Sequence, residues 1–396
     1  MSEPPDASPD PLPLTTVLRE WGRIGCIGFG GPPTHIKLLR ELCVERRGWL
    51  DGQEFEDAIA VCNLLPGPAS TQLAIFCAWR LRGRRGALVG GAAFIGPGLI
   101  VILALSVLFL ASSPPLWVLG AGAGADAAVP AVAVNAGVSL IGASWQRRAS
   151  TGRWLVYLIA GIAAAATLGV WLVLVLLGGG LIELAIRGLA IRSARDGGSG
   201  QLHSIAAVPV AVAAVAGGGV LASVAWVAIK VGGLSYGGGF VIIPLMQADA
   251  VGHYHWMTSA QFLDAVALGQ ITPGPVVQTV AVVGYAAAGL AGGLLAALVA
   301  FAPSFVFVLA GGPRFDRIRG DQRARAFLDG AGPAAIGAIL GSAISLTRAL
   351  AHPWQYAVLA AALIMVIGLR RGVVLTLLAA ATIGVVIALA AGTINP

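Results

Sequence analysis

Three stretches of this chain, Gly86 to Ala111, Trp154 to Ile186 and Gly372 to Ala391, contain a single charged side chain between them, Glu183. About 20 apolar residues carry a helix across a bilayer, and a helix satisfies its own backbone groups there. Only 11% of the 396 residues are charged and 57% are hydrophobic, whereas a soluble chain carries roughly a quarter charged residues. Fifty-five glycines suit close helix packing in lipid. The expected fold class is an all-α polytopic membrane protein. Its net charge of +7 reads as positive loops that orient the spans, not as a nucleic-acid surface. The start, MSEPPDASPDPLP, is acidic and proline-rich and reads as a disordered tail over 1–13 rather than a signal peptide. Cys26, Cys43, Cys62 and Cys77 lack CxxC spacing and read as small core residues. Without a GxxxxGK[ST] loop, ATP is not the expected energy source.

The chain also repeats itself. At an offset of 207, Trp49 falls on Trp256, Gly30-Gly31 on Gly237-Gly238, Asp57 on Asp264, and Pro66-Gly67-Pro68 on Pro273-Gly274-Pro275. The same offset puts Gly86 on Gly293, Phe94 on Phe301 and Arg23 on Lys230. The expected domains are a copy over 14–195, a linker with one extra apolar segment over 196–220, and a second copy over 221–396. Each copy reads as six apolar segments, beginning 14–36 and 57–79 in the first and 221–243 and 264–286 in the second. Arginines crowd the 80–85, 147–153 and 187–195 loops of the first copy, but the 314–325 and 370–371 loops of the second. If positive loops face the cytoplasm, the copies are inverted. The expectation is about 13 membrane segments, the first two of each copy either spanning or re-entrant, with N-terminus in and C-terminus out in a bacterial plasma membrane; an inverted repeat is the usual plan of an alternating-access transporter.

Candidate binding residues cluster where helices must break. Asp51 with Glu54 and Thr258 with Gln261 have capping-box spacing, so a helix should start there and stop at Pro66 or Pro273. Pro68 and Pro275 suit the first position of a new helix. The amides of Ala69, Ser70 and Thr71 would then be N-terminal donors for an anion. Asn63, Gly67, Ser70, Thr71, Gln72, Gln270, Thr272, Gly274, Gln278 and Thr279 offer further donors or room. Gly30, Gly31, Gly237 and Gly238 mark a second break that can present amides to a ligand. Arg23 and Lys230, inside apolar segments, either neutralise a bound anion or snorkel to the interface. Asp57, Asp126 and Asp264 are candidates for ion coupling, with Asp57 and Asp264 equally able to face loop arginines. His35, His203, His253, His255 and His352 form no HExxH or ligand cluster, and no metal or cofactor is expected.

FGGPPTHI (29–36), NLLPGPASTQLA (63–74), YGGGFV (236–241), GQITPGPV (269–276) and RAFLDG (325–330) resemble the chromate ion transporter (CHR) family in its two-domain long form. Leu42 stands where the second copy has Asp249, a departure from the acid often found there in the family. The resemblance implies a multi-pass plasma-membrane exporter of chromate, not an enzyme, with a small oxyanion and the bilayer as partners and a homodimer as one assembly open to it. A transporter of sulfate or another anion, an anion channel and a membrane-embedded enzyme are the alternatives. Membrane potential, a proton gradient or both would drive export.

Overall fold

The structure, a computed structural model, describes residues 12–65, 67–167, 171–193, 219–235, 240–311 and 321–392, and for 189–193 the backbone alone. Pro66, Gly237, Gly238, the tail to residue 11 and the linker with most of its extra segment lie outside the described residues. Among the described residues the secondary structure is helical. The first half contains α1 (Leu14–Ile27), α2 (Pro32–Arg40, continued by a π-turn over Glu41–Arg46), α3 (Gly52–Cys62), α4 (Ala69–Phe109), α5 (Leu116–Gln146), α6 (Thr151–Thr167) and α7 (Leu172–Ser193). The second contains α8 (Val220–Leu234), α9 (Ile242–Gln247, continued by a π-turn over Ala248–His253), α10 (Ser259–Ile271), α11 (Thr279–Gly311), α12 (Gln322–Arg348), α13 (Pro353–Leu363) and α14 (Val373–Ala391). The π-turns recur at the 207-residue offset, and the caps form where the spacing places them. Asp51 accepts from the Gln53 and Glu54 amides, and Thr258 with Gln261 makes both bonds of a capping box.

Past Pro-Gly-Pro the offset changes. α4 bends at Arg82 (φ −143°, ψ 22°) and Gly83 (57°, −149°), and α11 bends at Ala288 (−150°, 33°) and Gly289 (59°, −152°). These matching bends are 206 residues apart, as are the in-helix prolines Pro97 and Pro303. Gly25 lies against the Phe94 carbonyl, and Gly232 against the Ala300 carbonyl. One residue is therefore missing from the second half between Pro275 and Ala288. Gly86 and Phe94 correspond to Gly292 and Ala300, not to Gly293 and Phe301, and Gln72 corresponds to Gln278. A gapless alignment missed this because the glycine pair Gly292-Gly293 matches in either register.

Of the two courses open to the segments at 14–36 and 57–79, spanning or re-entering, the chain takes the folded-back one at their breaks. Glu20 of α1 pairs with Arg47 at 3.1 Å, and Trp21 stacks on Trp49 with centroids 6.4 Å apart. Glu54, in the first turn of α3, pairs with Arg80, near the end of the first limb of α4. Gly269 likewise lies against Thr279 across the second Pro-Gly-Pro turn. Each first limb ends ahead of its Pro-Gly-Pro, α3 at Cys62 and α10 at Ile271, and glycine at positive φ (Gly67 +119°, Gly274 +98°) reverses the chain.

Five of the described helical stretches are long and apolar enough to cross a membrane: α4, α5, Val276–Gly311, α12 and α14. α4 and α11 run antiparallel, with Gly91 against Phe305 and Leu103 against Gly293. α5 leaves its own half to pack along α14, where Gly120 and Gly124 meet Gly384 and Ala380. α12 does the same against α6 and α7, with Gly337 on Leu158 and Gly330 on Gly179. Small residues permit this backbone contact. The two halves are interlocked, and apolar side chains such as Ile100 and Leu298, 71% and 72% exposed, cover the outside of α4 and α11.

Candidate functional site

The breaks of one half seat on the helices of the other. The Gly274 amide donates to the Gly28 carbonyl at 3.0 Å, and the Pro273 carbonyl lies against Gly98, where a side chain would collide with it. Gln278 stands beside Gly274 and donates from Nε2 to the Ile95 carbonyl at 2.8 Å. In the mirror arrangement Gly67 faces Gln72 and Ser304. Ser304 is the equivalent of Gly98 at the 206 offset. Each proline-interrupted helix exposes backbone or a small side chain there, so a turn from the other half can approach it closely.

His35 joins the glycine break to the first Pro-Gly-Pro helix. It is fully buried, its Nε2 lies 2.9 Å from the Gly28 carbonyl and its Nδ1 3.2 Å from Ser70 Oγ. A carbonyl only accepts, so the Gly28 contact requires the proton on Nε2. The neutral ring then accepts from Ser70 through Nδ1. Gly30 (φ +95°) and Gly31 (+76°) make the sharp turn, and Gly31 touches Val276.

The amides divide differently from the sequence expectation. Thr71 N–H closes onto the Pro68 carbonyl at 2.9 Å, as does Gln72 N–H at 3.0 Å, because Pro68 serves as the cap of α4. Ala69 and Ser70 therefore provide the first-turn donors. Thr272 and Thr279 donate their hydroxyls to the Leu268 and Val276 carbonyls, both at 2.8 Å. Pro275 caps the turn leading to α11. Asn63 ends α3 in an exposed position. Buried polar atoms without a hydrogen-bond partner among the described residues include Thr71 Oγ1, Ser235 Oγ, Ser304 Oγ, Gln270 Nε2 and Gln278 Oε1. All but the last can donate to an anion.

Lys230 does not point a bare charge at the interior: its ammonium holds both oxygens of Asp249, at 2.6 and 2.8 Å. Arg23 is exposed on α1, in a groove with Glu20, Glu41 and Arg46. Asp57 accepts from Gln53 Nε2 at 3.0 Å. Asp126 and Asp264 face each other across the α5–α10 contact rather than loop arginines. Sequence reasoning missed His35, Ser304 and Asp329. Asp329 was findable, since Asp329-x3-Pro333 repeats Asp126-x3-Pro130.

The chain matches the chromate transporter family over residues 15–184 and 222–385. It is 30% identical over 345 residues to the chromate transport protein of Cupriavidus metallidurans, covering 85% of this chain and 83% of that one. It is 28% identical over 366 residues to the chromate transport protein of Pseudomonas aeruginosa, covering 88% and 84%. A probable chromate transport protein of Synechococcus elongatus is 27% identical over 344 residues, covering 86% of each. No solved structure matches.

Proposed function

Because the chain belongs to the chromate transporter family, we propose that it is a secondary transporter exporting chromate by alternating access between two inverted copies of one unit, 14–195 and 221–396. The observation that carries this reading is the reciprocal seating of the two Pro-Gly-Pro turns, Gly67 on Ser304 and Pro273 on Gly98. Equivalent helices α4 and α11 run antiparallel, as inversion requires. The donors near the turns are uncharged: first-turn amides of α4, the hydroxyls of Thr71 and Ser304, and Gln270. Neutral dipoles can hold a desolvated oxyanion at a helix N-terminus without binding it too tightly to release.

Each copy then contributes two re-entrant hairpins and four crossings, the second limb of α4 with α5, α6 and α7, and their counterparts α11 to α14. With one crossing between the copies the total is nine, and the parity that inverts the second copy is kept. The Glu54–Arg80 pair ties the mouth of the second hairpin to the arginine-rich bend of α4, which positive charge assigns to the cytoplasm. The N-terminus is then inside and the C-terminus outside. An inside-negative potential favours anion exit by about 2.3 kcal/mol per charge per 100 mV.

Chromate uptake into everted membrane vesicles tests the site. Gly67→Val with Gly274→Val should lower the initial rate by about 100-fold while the amount inserted stays the same, since both positions require positive φ and touch a glutamine amide. Unchanged uptake would remove the turns from the mechanism. Competition by sulfate and molybdate in the wild-type protein identifies the cargo separately from the site.

A further inference from the structure

α10 and α3 are equivalent half-helices in unequal settings. α10 packs on α5, α14 and α4, and buries Phe262, Leu263 and every residue from Ala265 to Gln270. α3 packs chiefly on α4 and buries Phe55, Ala58, Val61 and Cys62. Where α10 docks, the Asp264 carboxylate lies against Gly122, at a spot that any side chain on Gly122 would occupy. Asp126 is one turn further along the same face of α5. Asp126 is 5% exposed, and both it and Asp264 have a buried Oδ1 with no hydrogen-bond partner.

Two carboxylates brought together in an apolar interior do not both stay ionised. Among the described residues no basic side chain compensates them. On the surrounding helices Tyr285, Tyr356 and Cys77 are ordinarily uncharged. Asp249 is held by Lys230, Asp329 by Arg187 and Glu54 by Arg80. His253 lies exposed at the end of its π-turn, and Arg323, Arg325 and Arg348 sit at the ends of α12. Arg82, Arg84 and Arg85 lie at the bend of α4. A metal ion would want about six oxygen ligands, and no third acidic, histidine or cysteine group joins the pair among the described residues. One proton needs only two oxygens.

We propose that Asp126 and Asp264 together bind a single proton, and that this shared proton latches α10 onto α5. One carboxyl donates O–H to the other carboxylate, and loss of the proton leaves two anions that push α10 away. The equivalent pair is Asp57 on α3 and Asp329 on α12. Asp329 already binds Arg187 at 2.7 Å, in a cluster with Glu183 and Arg153. That latch has its own cation and closes without a proton. Exchange between the two docked states, which rests on the alternating-access reading, therefore takes up a proton at one end of the cycle only.

Hydrogen exchange of the α10 peptide in detergent-solubilised full-length protein tests this without any substrate, so the answer stands whatever the cargo is. Relative to Asp264→Asn at the same pH, wild-type α10 should lose protection by up to about tenfold per pH unit above the titration point. α3 should show no such difference. Asp126→Asn should also be flat, a second variant in case one misfolds. Wild-type protection that tracks both variants at every pH would overturn the proposal. So would protection at high pH restored by sodium ions, which would make the ligand a metal cation.

Discussion

Lys230 and Asp249 stand where the first half has Arg23 and Leu42, and one substitution explains both arrangements. With Leu42 in place of the acid, Arg23 lacks the partner that Lys230 finds in Asp249, and it remains on the exposed side of α1. With Asp249 opposite it, Lys230 turns inward, and the two charged side chains are 16% and 6% exposed. Removing one member of a buried ion pair strands the other. Asp249→Ala should destabilise the protein by about 3–5 kcal/mol, and Lys230→Met with Asp249→Leu should recover most of the loss. Thermal unfolding in detergent checks both. An unchanged midpoint in Asp249→Ala would mean that lipid or water already compensates Lys230.

At the scale of elements, the informative unit is a helix, a proline-glycine reversal and a second helix. Asp51 and Thr258 start the first limb by capping, and it ends ahead of Pro-Gly-Pro, at Cys62 and Ile271. A glycine at positive φ turns the chain, and a second proline caps the return limb. α3 spans 11 residues, about 16 Å of helix at 1.5 Å per residue, short of the roughly 30 Å hydrocarbon layer, so a dead-end hairpin suits the length better than a crossing. With the native cysteines replaced, Glu54→Cys paired with Arg80→Cys should cross-link readily with a short bis-maleimide, whereas Asn63→Cys with Arg80→Cys should not. Gel mobility after cleavage between the two sites reads the result. Failure of the first pair would restore a through-going segment at 57–79.

For the whole molecule, the interlocking of α5 with α13 and α14, and of α12 with α6 and α7, means that neither half encloses its own core. Gln355 of α13 even donates to the Ala123 carbonyl of α5 at 2.8 Å. The antiparallel α4 and α11 give the orientation a direct test. A single cysteine at Arg84 and one at Ala287, at equivalent bends, should label from opposite faces with a membrane-impermeant maleimide. Arg84→Cys should react only in everted vesicles and Ala287→Cys only in right-side-out ones. Labelling from the same face would make the copies parallel.

The membrane character, the helical class and the break points were legible in the sequence, as was the recurrence of its motifs at a 207-residue offset. Each is a local property of composition, hydropathy or backbone geometry: apolar runs have to be helical in lipid, and proline and glycine interrupt a helix whatever surrounds them. The tertiary structure decided what depends on contact between distant segments. It turned the 57–79 stretch back through Glu54 and Arg80, and revealed the missing residue through paired bends. It tied Lys230 to Asp249 and brought Asp126 of one half against Asp264 of the other, 138 residues apart in sequence. The hydropathy of a single carboxylate says only that its burial is costly. Whether it meets a cation, a proton or a second carboxylate is set by which helix packs across from it.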